Sequence, residues 1–325
     1  MGKAEELFEL VSENGSDTLI IDESLTSSQA NNLAKVTHTD VIDRERLILN
    51  IFALRAVTTE AKLQVQLAEL RYEMPRARDV VRHSKTGERA GYSGMGELAV
   101  DVRFRALKHR MVTVRGKISN AKSSRTLQRK ERLKRGEPLV SFAGYTSSGK
   151  TTLFNRLASE NKEESPNLFT TLATTTRALT IPGSKRRVML SDTVGFISRL
   201  PTYLIESFKS TLEELTFADL VLLVIDASED PDSVRIKFGS CKDILGQLGA
   251  DPKRVLLVLN KVDLMKGRTD ALASDALFEG FASVRTSATR GDGMRQLRNR
   301  IFELTRSKDG RVAKTGLGVQ AAPQA

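Results

Sequence analysis

The chain has 325 residues, with 51 Lys and Arg against 40 Asp and Glu and a formal charge of +11. That length suits two or three domains with cores of their own, and the basic balance favours polyanionic partners without defining a fold. A single cysteine, Cys241, excludes an intramolecular disulfide, the longest apolar run (Leu220–Ile225) is far short of the roughly 20 residues a membrane span needs, and the start Met1-Gly-Lys-Ala-Glu-Glu has no apolar signal segment. We therefore expect a soluble cytoplasmic chain that is monomeric when free and has no membrane partner.

Residues 1–55 read as a small α/β subdomain, with a strand at Thr18–Ile21, a helix at Ser27–Val36 and a second strand at Asp40–Ile42. Residues 56–130 read as a basic antiparallel helical hairpin. Leu63, Leu67, Leu70 and Met74 fall at spacings of 4, 3 and 4, and Val100, Phe104, Leu107, Met111, Val114 and Ile118 at 4, 3, 4, 3 and 4. Each set is one apolar stripe of a helix, so the stripes are packing surface rather than chemistry. Between them Pro75–Glu97 reads as a long glycine-rich tip carrying Arg76, Arg78, Arg82, Lys85 and Arg89, the residues we expect to contact RNA. From Arg103 to Arg135 there are thirteen Lys or Arg and one acid, Glu131. Such a stretch is either a solvated helix face or a salt-sensitive, sequence-blind phosphate-binding surface. A charged linker, 131–137, leads into the nucleotide domain.

Residues 138–307 carry the chemistry. The apolar strand Leu139–Ala143 runs into Gly144-Tyr145-Thr146-Ser147-Ser148-Gly149-Lys150-Thr151, and Thr152–Ala158 reads as a helix. In that strand–loop–helix setting the pattern is a phosphate-binding loop. Its glycines let successive N–H groups point at phosphate oxygens, and the helix N-terminus adds positive charge. Lys150 should reach the β- and γ-phosphates and the Thr151 hydroxyl should ligate Mg²⁺. Next comes the threonine-rich segment Asn167–Arg177, containing Phe169, Thr170, Thr171, Leu172 and Ala173. A hydroxyl here could complete the magnesium shell, but the chemistry alone does not choose among Thr170, Thr171, Thr174, Thr175 and Thr176.

Arg187–Leu190 then leads to Ser191-Asp192-Thr193-Val194-Gly195. An Asp at a strand end can hold magnesium through water, and the Gly195 amide is placed to sense a γ-phosphate. After the strand Val255–Leu259, Asn260-Lys261-Val262-Asp263 offers a carboxylate to the N1–H and N2–H₂ edge of guanine; adenine would leave it unpaired. Ser287-Ala288, after a strand at Phe281–Arg285, would supply a backbone N–H to guanine O6. With the helix Met294–Thr305, these elements imply an α/β domain with a mostly parallel sheet covered on both faces. His38, His83 and His109 lie outside this segment without metal-ligand spacing. The tail, 308–325, has no periodicity and reads as disordered.

Many GTPases place a water-orienting glutamine just after Asp-x-x-Gly. Here that position is Phe196, which cannot hydrogen-bond water. Slow intrinsic hydrolysis, accelerated by a partner, is the expectation.

Asp192-Thr-Val-Gly-Phe-Ile-Ser-Arg-Leu-Pro201 resembles the signature of the HflX family of ribosome-associated GTPases, and Gly144-Tyr-Thr-x-x-Gly-Lys150 its phosphate loop. Phe169-Thr-Thr-Leu172 is similar to its switch-one motif, which implies that Thr171 carries the magnesium-binding hydroxyl. Val41-Ile-Asp-Arg44, Leu47–Ala53 and Lys62–Leu70 resemble the family's amino-terminal domain, so the likeness runs from about residue 17 to 307. It implies a GTP-hydrolysing switch on ribosomes, on the large subunit and its RNA, with Lys150, Thr171 and Gly195 at the reacting phosphate and Thr151, Thr171 and Asp192 around Mg²⁺. A GTP-dependent RNA-binding or assembly module, in which hydrolysis only resets binding, is the alternative. There are departures. Ser147-Ser148 replace an Asn-Ala pair whose asparagine helps hold potassium in related GTPases. Ala173-Thr174-Thr175 replace Asp-Pro-Thr, and Tyr92-Ser-Gly-Met-Gly-Glu97 keeps part of a glycine-rich stretch. The chain reads as a short form without the carboxy-terminal domain of many bacterial members.

Overall fold

The computed structural model describes residues 2–87, 93–158, 172, 174–180, 187–265 and 276–306. Two compact units emerge: 1–127 with 167–174 and 199–212, and 128–166 with 175–198 and 213–325. The stretch 199–212, expected in the nucleotide domain, thus groups with the amino-terminal part.

In the first unit, helix α1 (Lys3–Asn14) precedes β1 (Thr18–Ile21), α2 (Ser27–Thr37), β2 (Asp40–Asp43) and α3 (Arg44–Arg55). The α2 start is written in the sequence: the Thr26 side chain accepts from the Gln29 amide while the Gln29 side chain accepts from the Thr26 amide. β1 and β2 pair in parallel, Thr18 opposite Asp40. Asp43 caps α3 by accepting from Arg46 N at 2.8 Å, and it also accepts from the Tyr72 hydroxyl at 3.0 Å and from Arg76. α4 (Thr59–Gly87) and α5 (Ser93–Lys134) follow. The two apolar stripes meet as expected, with Leu67, Leu70, Met111 and Val114 buried among Leu63, Met74, Leu107 and Ile118.

The loop expected over Pro75–Glu97 is mostly helix instead, because α4 continues through Pro75 and α5 begins at Ser93. Proline removes one helix hydrogen bond and crowds the preceding turn, yet the residues on either side are held: Met74 packs in the seam and Arg76 is bound by Asp43. Helix also replaces most of the expected linker, as α5 runs to Lys134. The segment 199–212 contains α7 (Thr202–Ser207). Its place in this unit follows from its side chains. Phe208 packs edge-to-face on Phe52 at 5.0 Å, the Thr211 hydroxyl donates to Gln64 at 2.9 Å, and the Tyr203 hydroxyl donates to Glu45 at 2.9 Å.

The second unit is a six-stranded sheet. Its strands are β3 (Leu139–Gly144), β4 (Thr175–Thr180), β5 (Arg187–Asp192), β6 (Leu220–Asp226), β7 (Val255–Asn260) and β8 (Ala282–Arg285). The order is β4-β5-β3-β6-β7-β8; only the β4–β5 pair is antiparallel. β3, β6 and β7 are almost wholly apolar and buried, as central strands covered on both faces must be. α6 (Lys150–Ala158), α9 (Pro231–Gln247) and α10 (Met294–Arg306) accompany them, and α8 (Lys209–Thr216) bridges the two groupings in sequence. Phe142, Leu153, Phe154, Leu222, Val258, Leu297 and Ile301 belong to one buried cluster. Gly144, Asp192, Asp226 and Asn260 close four of the strands, at the carboxyl edge where open α/β sheets bind ligands. Among the described residues no helix is long and apolar enough to cross a membrane. The tail lies outside them.

Candidate nucleotide-binding site

β3 delivers the chain into the phosphate loop through Gly144 (φ +143), where a Cβ would lie 2.3 Å from the Val224 carbonyl oxygen. Gly149 (φ +91) is equally constrained, since a Cβ there would lie 2.3 Å from Asn260 Nδ2. Both glycines are required by close approach of other groups. α6 starts at Lys150, so its amino-terminal amides face the loop. The Lys150 ammonium is buried and donates to the Tyr145 carbonyl at 2.7 Å. Burial lowers its pKa to about 8, against the opposing pull of Asp192. A cation buried to this degree is a strong attractor for an anion. The Thr151 hydroxyl donates to Asp192 Oδ2 at 3.1 Å, and Asp192 is fully buried at the end of β5. These two hard oxygen donors fit Mg²⁺. Thr152 follows in the first turn of α6.

At the carboxyl end of β7, Asn260 ties three segments together. Its Nδ2 donates to the Ser148 carbonyl at 3.0 Å, and its Oδ1 accepts from Ala288 N at 3.1 Å and the Thr286 hydroxyl at 3.2 Å. Lys261 takes a left-handed conformation (φ +63) and its ammonium meets Asp226 at 2.6 Å. Asp263, one residue beyond Val262, has a carboxylate held below the ordinary range, chiefly by its hydrogen bond with the Ser287 side chain. Its Oδ1 is buried with no partner among the described residues, as an acceptor awaiting a ligand donor would be.

Ser287 N donates to the Asp292 carbonyl at 3.0 Å and Ala288 N to Asn260 Oδ1 at 3.1 Å. Asp226 and Thr286 were not foreseen. An acid closing a buried apolar strand beside two site strands is the signal that would have found Asp226.

Thr193 is buried and donates from its hydroxyl to the Phe142 carbonyl at 2.6 Å, while Val194 is buried beside it. Gly195 comes against the loop: a Cβ would lie 3.1 Å from Lys150 Nζ. Phe196 is 1 % exposed and turns its ring into the core. Phe169, Thr170, Thr171 and Ala173 lie outside the described residues, and Leu172 is buried in the first unit. Thr174 precedes β4, which Thr175 and Thr176 begin. Burial pushes the Cys241 thiol up to about 12, so it is unreactive at neutral pH. Among the described residues no group of His, Cys, Asp and Glu could by itself hold a metal.

Of the expected RNA contacts, Arg76 is held within the first unit. Its guanidinium pairs with the almost fully buried Asp43 carboxylate and lies 3.4 Å over the Tyr72 ring. Arg78, Arg82 and Lys85 lie on α4, and Arg89 lies outside the described residues. The basic run on α5 divides in two. Arg103, Arg105, Lys108, Arg110, Arg115 and Lys117 are exposed, away from the Met111–Val114 seam. Arg125 instead pairs with Glu60 at 2.8 Å, Arg129 stacks on Phe217 at 3.8 Å, and Arg132 is buried enough to lower its pKa.

Three family profiles match in succession: "GTP-binding GTPase N-terminal" over residues 1–53, "GTP-binding GTPase Middle Region" over 55–132 and "50S ribosome-binding GTPase" over 139–261. A protein named GTPase HflX from Thermococcus kodakarensis is 45% identical over 265 residues, covering 82% of this chain and 60% of that one. A namesake from Thermofilum pendens is 36% identical over 311 residues, covering 94% and 72%. The chain spans about three fifths of the length of the Thermococcus relative and 64% of one from Methanocaldococcus jannaschii. Among solved structures, a GTP-binding protein from Sulfolobus solfataricus in complex with GDP aligns over 93% of this chain and 85% of its own, at 28% identity and a TM-score of 0.51.

Proposed function

Because the chain belongs to the HflX family of GTPases, we propose that it binds GTP with Mg²⁺ and hydrolyses it as a switch that acts on ribosomes, on the large subunit and its RNA. The observation that carries this reading is the convergence on one sheet edge of three chemically distinct groups. These are the loop with its buried Lys150, the Thr151–Asp192 oxygen pair, and the buried Oδ1 of Asp263, which has no partner among the described residues.

In this reading the loop amides and Lys150 bind the β- and γ-phosphates, the Gly195 amide faces the γ-phosphate, and Asp263 accepts from guanine. Thr151, Thr171 and, through water, Asp192 would hold Mg²⁺, which when bound neutralises charge on the phosphate oxygens. The Asp263 carboxylate disfavours adenine, which has no donor pair to satisfy it. Buried Phe196 offers no hydrogen bond to water, so intrinsic hydrolysis is slow and the ribosome accelerates it. The exposed basic face of α5 is the surface offered to RNA phosphates, and Arg78, Arg82, Lys85 and Arg89 are assigned to RNA from their place in the basic sequence between the two stripes. The similarity of residues 139–261 to the "50S ribosome-binding GTPase" family supports the ribosomal partner.

Sedimentation with ribosomal subunits under GTP, GDP and a non-hydrolysable analogue, followed by single-turnover hydrolysis with and without ribosomes, tests the reading. Tight large-subunit binding only with the triphosphate, and stimulated hydrolysis, are expected. Equal binding under all three, or fast turnover by the protein alone, would refute it.

A further inference from the structure

Tyr145 is the second residue of the phosphate loop, and its side chain makes contacts that phosphate binding does not require. The hydroxyl accepts from Ser198 N at 3.0 Å and donates to Ser198 Oγ at 3.2 Å, so its one proton and a lone pair are both used on the same residue. The ring carries Lys237 Nζ 5.0 Å from its centroid. Backbone bonds run beside this clasp. Phe196 N donates to the Gly144 carbonyl at 2.9 Å and Thr146 N donates to the Phe196 carbonyl at 2.8 Å, a parallel bridge between Tyr145 and Phe196. The segment after Asp192-x-x-Gly195 is therefore fastened along the loop. Ser198 is the last residue of this unit before the chain continues into the first unit's segment 199–212.

We propose that the Tyr145 hydroxyl is a latch: a positioning residue that holds Ser198, and through it Phe196, against the phosphate loop until a γ-phosphate displaces them. The proposal rests on the GTP reading above and adds the residue that couples the third phosphate to the segment beyond Gly195. The geometry supplies the coupling. A Cβ on Gly195 would stand 3.1 Å from Lys150 Nζ and 3.0 Å from Thr146 Cγ2, so the Gly195 backbone already crowds the ammonium that a γ-phosphate oxygen must reach. The Thr146 amide, one of the loop's donors, ends on a carbonyl oxygen, whose partial negative charge repels an incoming phosphate. A diphosphate brings no third group to that end of the loop. Closed latch and triphosphate thus compete, whereas closed latch and diphosphate do not.

Tyr145→Phe keeps the ring and the Lys237 contact and removes only the clasp. Titration of wild type and variant with fluorescent GDP and a non-hydrolysable GTP analogue should show the variant's affinity ratio moved about three- to tenfold toward the triphosphate, the effect of one net hydrogen bond. In the wild type, hydrogen exchange at the Phe196 and Ser198 amides should be at least about tenfold slower with GDP than with the analogue. A tyrosine that merely packs would move both affinities together. An unchanged ratio, or equal protection under both nucleotides, overturns the latch and leaves guanine-nucleotide binding standing. A wild type that binds neither nucleotide overturns both.

Discussion

Asn260 is where loss of one side chain should disturb the most. Asn260→Ala would strand three buried groups: the Ser148 carbonyl, the Thr286 hydroxyl and the Ala288 amide, in residues that are 1 %, 0 % and 5 % exposed. Each orphaned group costs about 1–3 kcal/mol. The Thr286 hydroxyl can rotate toward another acceptor and the loop can relax, so about 3–5 kcal/mol is expected rather than the full sum. That is a large share of a typical domain stability of about 5–15 kcal/mol. Hydrogen exchange at the amides of β7, buried from Val255 to Asn260, isolates the effect to this unit in protein free of nucleotide. Exchange should quicken by about two to four orders of magnitude. Asn260→Asp keeps an acceptor for Ala288 and Thr286 but sets a carboxylate oxygen against the Ser148 carbonyl, so it should be no milder. If Asn260→Ala changes exchange by less than about fivefold, under 1 kcal/mol, the idea that this side chain knits the site together is wrong.

Three further outcomes follow from the same geometry. Lys150 has a folded pKa of about 8 against 10.5 when unfolded, so between those values the unfolded chain binds the extra proton. Stability should then rise with pH through about 8–10.5, by about 3 kcal/mol at most. Lys150→Met should flatten that rise and stabilise the nucleotide-free unit at pH 7 while abolishing nucleotide binding; chemical denaturation across pH 7–10.5 with parallel nucleotide titrations checks both. Asp263→Asn replaces the acceptor facing guanine with a donor, so GTP affinity should fall by about 100-fold or more and xanthosine triphosphate should gain, as read by competition binding. Charge reversal at Arg103, Arg105, Lys108 and Arg110 should weaken ribosome sedimentation and flatten its dependence on salt, with GDP affinity unaltered.

What the sequence disclosed is what local chemistry determines. β3, β5 and β7 were legible because each is a largely apolar run that ends at the sheet's carboxyl edge in a motif residue, Gly144, Asp192 or Asn260. The hairpin seam was legible because its period is that of a helix, so Met111 and Val114 could meet only another such stripe. What misled was composition read without partners. Pro75 and the glycines beyond it signalled a loop, but α4 continues because Asp43, more than thirty residues earlier in sequence, holds Arg76. The thirteen cations looked like one surface, yet Arg125, Arg129 and Arg132 are committed to Glu60, to Phe217 and to burial, none of which the local sequence announces. Tyr145 carries the same lesson further. In the sequence it fills a permissive position between Gly144 and Thr146; its importance arises only when Ser198, fifty-three residues on, folds back to meet it. Motifs announce the groups that must touch a phosphate or a base. The bonds that decide how those groups move are long-range pairings, and they become visible only in the fold.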